Sequence, residues 1–291
     1  MHLDGLNAGS AEAFAAALGD IFEHTPWIAA RAAGARPFAT VSALHEAMMA
    51  ALAASGPEEK LALIRAHPEL GGKVARAGEI AAASRREQGA LGLDRLSDAE
   101  FARFEAMNAA YRERFGFPFI IAVRRHTRDS ILAQFARRLA HDRDAEIAAA
   151  LTEIGHITRL RIAAAVEGPG QPKTDGRLST HVLDTAAGRP AAGVKLVLSE
   201  IGASAQSVLK ETVTNADGRT DEPLIGGEPL RIGRYEIAFH IGDYFASRGF
   251  ATADPPFLDV VPLRFAIAEP EGHYHVPLLA TPWSYSTYRG S

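Results

Sequence analysis

Hydrophobic spacing along the chain changes once, near residue 166. Up to about Val166 apolar residues recur three and four apart, as in LHEAMMAALAA and SILAQFARRLA, which lines one face of an α-helix. Helix-start chemistry recurs with this pattern. Ser10 is read as opening the first helix and Pro57-Glu58-Glu59 as opening another, while Ser84 with Glu87 and Ser97 with Glu100 fit capping boxes. Pro26, Pro37, Pro68 and Pro118 punctuate the segments. Seven or eight helices are predicted for residues 1–166. Residues 167–176 are rich in Pro and Gly and without period, so they read as a linker. From 177 to 291 the runs are short and β-branched or alternating: LSTHVLD, VKLVLSEI, LKETVTN, YEIAFHI, LDVVPLRFAIA and YHVPLLA. Turn chemistry such as AAGRPAAG, NADG and AEPEG separates them, which predicts a sandwich or barrel with one short helix near Asp243–Arg248. The fold class is multidomain α + β: an all-α domain, a linker and a β-sandwich.

Composition narrows the function classes. With 47% apolar and 23% charged residues, both halves can bury a core without a metal or disulfide to fold them. Cysteine is absent, which excludes disulfides, zinc–thiolate sites and thiol nucleophiles. A net charge of −4 argues against nucleic acid or an anionic membrane as partner. No run approaches the ~20 apolar residues of a membrane helix. The start, MHLDGLNAGSAEAF, lacks the basic-then-apolar order of a signal peptide. A cytoplasmic protein acting on small molecules is expected.

The β half holds four features with chemical potential. His181 sits in the alternating run RLSTHVLD, Arg219 follows the turn Asn215–Gly218, His273 and His275 flank Tyr274, and the chain ends in Tyr288-Arg289-Gly290-Ser291. Singly, each has an ordinary reading. A strand histidine is usually satisfied by its neighbours, and an arginine after a turn pairs with a surface acid. His-x-His places two rings on one strand face, and two histidines alone are a weak zinc signal. Together, LSTHVLD, TNADGR and YHVPLLATPWSYSTYRGS resemble the 5-hydroxyisourate hydrolases, enzymatic relatives of transthyretin, over the whole of 177–291. The resemblance implies an eight-stranded sandwich assembled as a tetramer, with sites in the channel between subunits. It also implies catalytic roles for His181, His275, Arg219 and Ser291. The histidines position and deprotonate water, Arg219 binds the planar anion, and the Tyr288–Ser291 end closes the pocket with Tyr288 against the substrate; His273 is accessory. These residue types suit hydrolysis near neutral pH. No stretch reads as a nucleophile elbow.

In the helical half, His67-Pro68 could simply end a helix, Glu87 could cap one, and Phe115–Val123 could be core. Gly71-Gly72-Lys73 lacks the spacing of a phosphate loop, so nucleotide binding is discarded. As a set, PWIA, RPF, HPELGGK, the S-x-x-EQ segment, NAAY and FGFPFIIAV resemble the decarboxylases of OHCU (2-oxo-4-hydroxy-4-carboxy-5-ureidoimidazoline) over about residues 8–165. The resemblance implies an all-helical, dimeric, cofactor-free domain that delivers one proton to one face of its substrate. His67 is then the general acid, and Glu87 orients it or accepts from substrate N–H groups. Backbone groups of Phe119, Ile120, Ile121, Ala122 and Val123 cradle the flat ring, with Pro68, Ser84, Arg85, Arg86 and Gln88 also in contact with it. Arg161 binds the carboxylate, against the ordinary reading of an arginine on an exposed helix face.

The two resemblances join, because the hydrolase releases the decarboxylase's substrate. The reading is a homo-oligomeric, bifunctional enzyme of urate breakdown that forms (S)-allantoin without cofactor or metal. Two alternatives from other classes stand beside it: a transthyretin-like binding module with a helical partner domain, and a zinc-dependent cyclic amide hydrolase using His181, His273 and His275.

Overall fold

The computed structural model describes residues 1–70, 87, 89, 98–203, 205–250 and 253–290. Contacts divide the chain into two compact units, Met1–Arg124 with Ile131–Thr174 and Arg125–Ser130 with Asp175–Ser291. Each unit has its own apolar core.

Among the described residues up to Val166 there are eight α-helices: Leu3–Ala8, Ala11–Leu18, Pro26–Ala32, Val41–Ala53, Pro57–Ala66, Asp98–Phe115, Arg128–Arg138 and Arg143–Ala165. Ser10 caps the second of these, not the first, accepting from the Ala13 N–H at 3.1 Å. The helix before it begins at the His2 ring, whose Nδ1 accepts from Asp4 N–H; histidine is not a signature cap, so that start carried no sequence signal. Pro57 begins its helix as expected, with the Glu59 carboxylate accepting from Gly56 N–H at 3.1 Å. Ser84 and Ser97, the other two proposed caps, lie outside the described residues. The 23-residue helix Arg143–Ala165 opens on Asp142, which accepts from Ala145 N–H. It buries Ala150, Ile154, Ile157 and Ile162, which join the core of this unit.

The Pro/Gly-rich stretch after it is not free of bonds. Val41 and Ser42, two amides at the start of a helix that lack intrahelical partners, donate to the Pro169 and Gly170 carbonyls at 3.0 Å each.

In the second unit, β1 (Arg177–Ser179) pairs in parallel with β9 (His273–His275), and β2 (Val182–Asp184) in parallel with β10 (Leu278–Ala280). LSTHVLD and HYHVPLLA thus each form two short strands, interrupted side by side. At the break Thr180 donates its hydroxyl to the Val276 carbonyl, and Pro277 has no N–H to extend the ladder. β6 (Ile225–Gly226) flanks β1, while β3 (Arg189–Pro190) and β11 (Tyr285–Thr287) flank the β2–β10 pair. The facing sheet is antiparallel, in the order β5 (Gln206–Val213), β4 (Lys195–Ile201), β7 (Gly233–His240), β8 (Val260–Ile267). Leu178, Val182 and Leu278 meet Leu196, Leu198, Ile237 and Phe239 in one core between the layers. The predicted short helix is Ile241–Ser247.

Candidate active sites

In the helical unit, the helix Pro57–Ala66 stops at His67 because a residue before proline is pushed out of the α region; its ψ is 139°. The His67 Nδ1 lies 2.9 Å from the Leu63 carbonyl, which can only accept, so Nδ1 carries the proton. Nε2 is buried with no hydrogen-bond partner, a bare atom in the neutral ring. Burial lowers the imidazole pKa, opposed by the bond to Leu63 and by the Glu23 carboxylate.

Beside it stands Arg161. Its Nε and Nη2 donate to the two carboxylate oxygens of Glu87 at 2.9 Å each, the planar fork of a bidentate pair. Nη1 donates to Glu23 at 2.8 Å. The Arg161 side chain is only 8% exposed, which overturns the exposed-face reading: it follows Ile157 by four residues and shares its inward face. Burial alone would lower the guanidinium pKa, but Glu87 and Glu23 outweigh it and raise it.

His67, Pro68, Glu87, Phe119, Ile120, Ile121, Val123 and Arg161 line one narrow cavity. Two backbone groups of the 119–123 segment are already engaged. The Ile120 carbonyl accepts from Arg138 at 2.7 Å, and Ala122 N–H donates to Glu153 at 2.8 Å. Arg138 is itself held by the fully buried Glu146, which also takes Tyr111 and His141. Ser84, Arg85, Arg86 and Gln88 lie outside the described residues.

In the sandwich, the strand break brings the second set together. Gly218 ends the NADG turn at φ +69°, and a Cβ there would stand 2.3 Å from the Val182 carbonyl, so only glycine allows this approach. Val182 N–H in turn donates to the Gly218 carbonyl at 2.8 Å, which sets Arg219 beside His181. The His181 ring bonds the Asp217 main chain while its Nε2 is buried without a partner, so the bonded atom is Nδ1. Burial and then Arg219 lower the His181 pKa, against the Asp217 bond. Burial, Arg219, His181 and His273, in that order, lower that of His275.

His275 Nδ1 lies 3.0 Å from the Ser179 hydroxyl, and His273 Nε2 lies 3.1 Å from the same oxygen. The terminal segment backs this group: Gly290 N–H donates to the His275 carbonyl at 2.9 Å. Tyr288 is exposed and lines a cavity of about 330 Å³ with Phe265, Tyr274 and Val276, whose described lining includes none of His181, Arg219 and His275. Ser291 lies outside the described residues. Among the described residues no three His, Asp or Glu side chains are grouped to hold a metal ion.

Residues 7–163 match the family model for OHCU decarboxylase, and residues 178–290 match that of the HIUase/Transthyretin family. The chain belongs to both families. The 5-hydroxyisourate hydrolase of Deinococcus radiodurans is 60% identical over 115 residues, 39% of this chain and 95% of that protein. The 2-oxo-4-hydroxy-4-carboxy-5-ureidoimidazoline decarboxylase of Haloferax volcanii is 41% identical over 161 residues, 55% of this chain and 94% of that protein. A crystal structure of (S)-allantoin synthase covers 100% of both chains at 36% identity, with a TM-score of 0.54. The molecule is a fusion of an OHCU decarboxylase domain with a transthyretin-like hydrolase domain.

Two residues of these domains escaped the sequence reading. Glu23 of the decarboxylase domain holds Arg161, and its one signal is an acid wedged between apolar Phe22 and Pro26. Ser179 of the hydrolase domain bridges two histidines; alternation in L-S-T-H puts it on the face of His181, a signal that was there to read.

Proposed function

We propose that the chain carries out two consecutive steps of urate breakdown: residues 177–291 hydrolyse 5-hydroxyisourate to OHCU, and residues 1–166 decarboxylate OHCU to (S)-allantoin. The observation that carries this reading is the pair of separate polar clusters, each built around a histidine with a bare, buried Nε2, within the two matched families.

In the hydrolase domain, His181 and His275 are neutral at pH 7 because both pKa values lie below the ordinary imidazole value. A neutral Nε2 takes a proton from water as the oxygen attacks the substrate carbonyl. Arg219 offsets the negative charge that develops, and Ser179 fixes the His275 ring. Ser291 closes the pocket from the chain end.

In the decarboxylase domain, loss of carbon dioxide leaves an electron pair on the substrate ring. The neutral His67 takes the substrate's hydroxyl proton on Nε2 and, as the imidazolium, returns it to one face of the ring carbon. Both Glu87 oxygens are tied to Arg161 yet keep lone pairs for substrate N–H groups. Arg161 orients Glu87 and, lining the same cavity, binds the substrate carboxylate. Phe119, Ile120, Ile121, Val123 and Pro68 wall the cavity, and Ser84, Arg85, Arg86 and Gln88 are the further residues we propose for substrate binding.

The assembly is a homo-oligomer through tetrameric hydrolase and dimeric decarboxylase domains, and the protein works in the cytoplasm. Among the described residues no helix is long and apolar enough to cross a membrane. The deciding experiment mixes fresh 5-hydroxyisourate with the protein and follows allantoin by circular dichroism, with and without EDTA. Rapid formation of the (S) enantiomer is expected in both. Racemic product at the uncatalysed rate would overturn the reading, and activity lost to EDTA and restored by zinc would favour the metal hydrolase.

A further inference from the structure

Arg161 has two acidic partners in a site where one would neutralise it. Glu87 takes the Nε–Nη2 edge of the guanidinium, and Glu23 takes Nη1. The Glu23 side chain is 2% exposed, so a second buried carboxylate is maintained at a desolvation cost. The turn that delivers it is strained. His24 has φ 51°, in the left-handed region, while Thr25 N–H donates to the Phe22 carbonyl and the Thr25 hydroxyl to that of Glu23. These bonds direct Glu23 inward and leave His24 exposed.

We propose that Glu23 is a positioning residue of the decarboxylase, fixing the rotation of the Arg161 fork so that its far edge holds Glu87 in place, and setting a buried negative charge beside His67. The inference rests on the decarboxylase reading of this domain. A planar fork held at one edge can swing about its Cδ–Nε axis; held at both ends it has one orientation. The Glu23 carboxylate beside His67 favours the imidazolium, against burial, Arg161 and His24, which all disfavour it.

The test uses the full chain with pre-formed OHCU, measuring kcat, KM, their pH dependence and the chirality of allantoin. Hydrolase activity of the same sample reports intact protein. Glu23→Gln keeps the size and an oxygen for Nη1 but removes the charge. Its kcat should fall roughly 10–100-fold with KM little changed, and the His67 ionisation should move to lower pH. Glu23→Asp keeps the charge but withdraws it by one methylene. It should hold that ionisation near the wild-type position while kcat still falls. Should Glu23→Gln fail to fold, Glu23→Asp decides alone: a lowered kcat at an unmoved ionisation supports the proposal, and wild-type kcat overturns it. Glu23→Gln with wild-type kcat, or with lowered kcat and an unmoved ionisation, would also overturn it. A wild-type chain inert toward OHCU would instead overturn the decarboxylase reading beneath it.

Discussion

In both domains an imidazole gives its Nδ1 proton to a main-chain carbonyl, Leu63 for His67 and Asp217 for His181, and keeps Nε2 bare. The bond fixes the tautomer, so a single nitrogen is available for proton transfer. What differs is the charge placed beside the ring. Burial lowers the pKa of all three rings. At His67 the raising effect of Glu23 exceeds the lowering effect of Arg161, whereas at His181 the lowering effect of Arg219 exceeds the raising effect of the Asp217 carboxylate, and Arg219 lowers His275 as well. The first arrangement suits an acid and the second a base. The sign is testable at one residue. Arg219→Gln removes a positive charge that disfavours the imidazolium, so the pKa of both histidines rises. The acid limb of kcat/KM for 5-hydroxyisourate, expected below pH 6.5 in the native chain, should then shift to higher pH. The plateau should drop roughly 10²–10³-fold as charge stabilisation is lost. OHCU decarboxylation should be untouched. A limb that stays in place would show that Arg219 does not set the protonation of the pair.

At the scale of elements, the terminal segment and β9 form a device that needs a glycine. A Cβ on Gly290 would stand 2.8 Å from Cδ2 of His275, closer than real Cβ atoms approach, and 3.1 Å from its Cβ, tighter than an ordinary contact. Gly290→Ala must therefore push the ring and the terminal segment apart. Hydrolase activity should fall by roughly an order of magnitude or more, because catalytic geometry tolerates little displacement. Thermal stability should change little, since Tyr288 and Arg289 are exposed. Activity at the native level in that variant would show that the His275 ring position is not set by the chain end. The same device shows what a one-dimensional pattern can carry. Helix and strand runs, the Pro57 start, the Pro68 stop and the helix at Ile241–Ser247 follow from local spacing and backbone chemistry. His67 with Glu87 and Arg161, and His181 with Arg219 and His275, were legible as sets through family motifs. The paired strand breaks at Thr180–His181 and Val276–Pro277 were not, because each depends on its neighbour across the sheet. Nor were the partners of Glu23 and Ser179, which lie 138, 94 and 96 residues away in sequence. Local spacing holds no trace of such contacts.

For the whole molecule, the question is how the intermediate passes between chemistries on one chain. Each catalytic set is drawn from a single unit: His67, Glu87 and Arg161 from the first, His181, Arg219 and His275 from the second. OHCU should then leave into bulk water and be captured in competition with its own decay. Under free diffusion the fraction captured depends on the product of decarboxylase concentration and its kcat/KM, set against the first-order decay rate. This predicts complementation between inactive halves. A His67→Asn chain keeps hydrolase activity, and a His181→Ala chain keeps decarboxylase activity. The two, assembled separately and then mixed, should convert 5-hydroxyisourate to (S)-allantoin. At each concentration the enantiomeric excess of the mixture should equal that of native protein holding the same number of working sites, and both should fall together on dilution. The His67→Asn chain alone should give racemic allantoin. If native protein kept its enantiomeric excess at dilutions where the mixture had lost it, OHCU would be passing directly from one site to the other, and the free-diffusion account would fail.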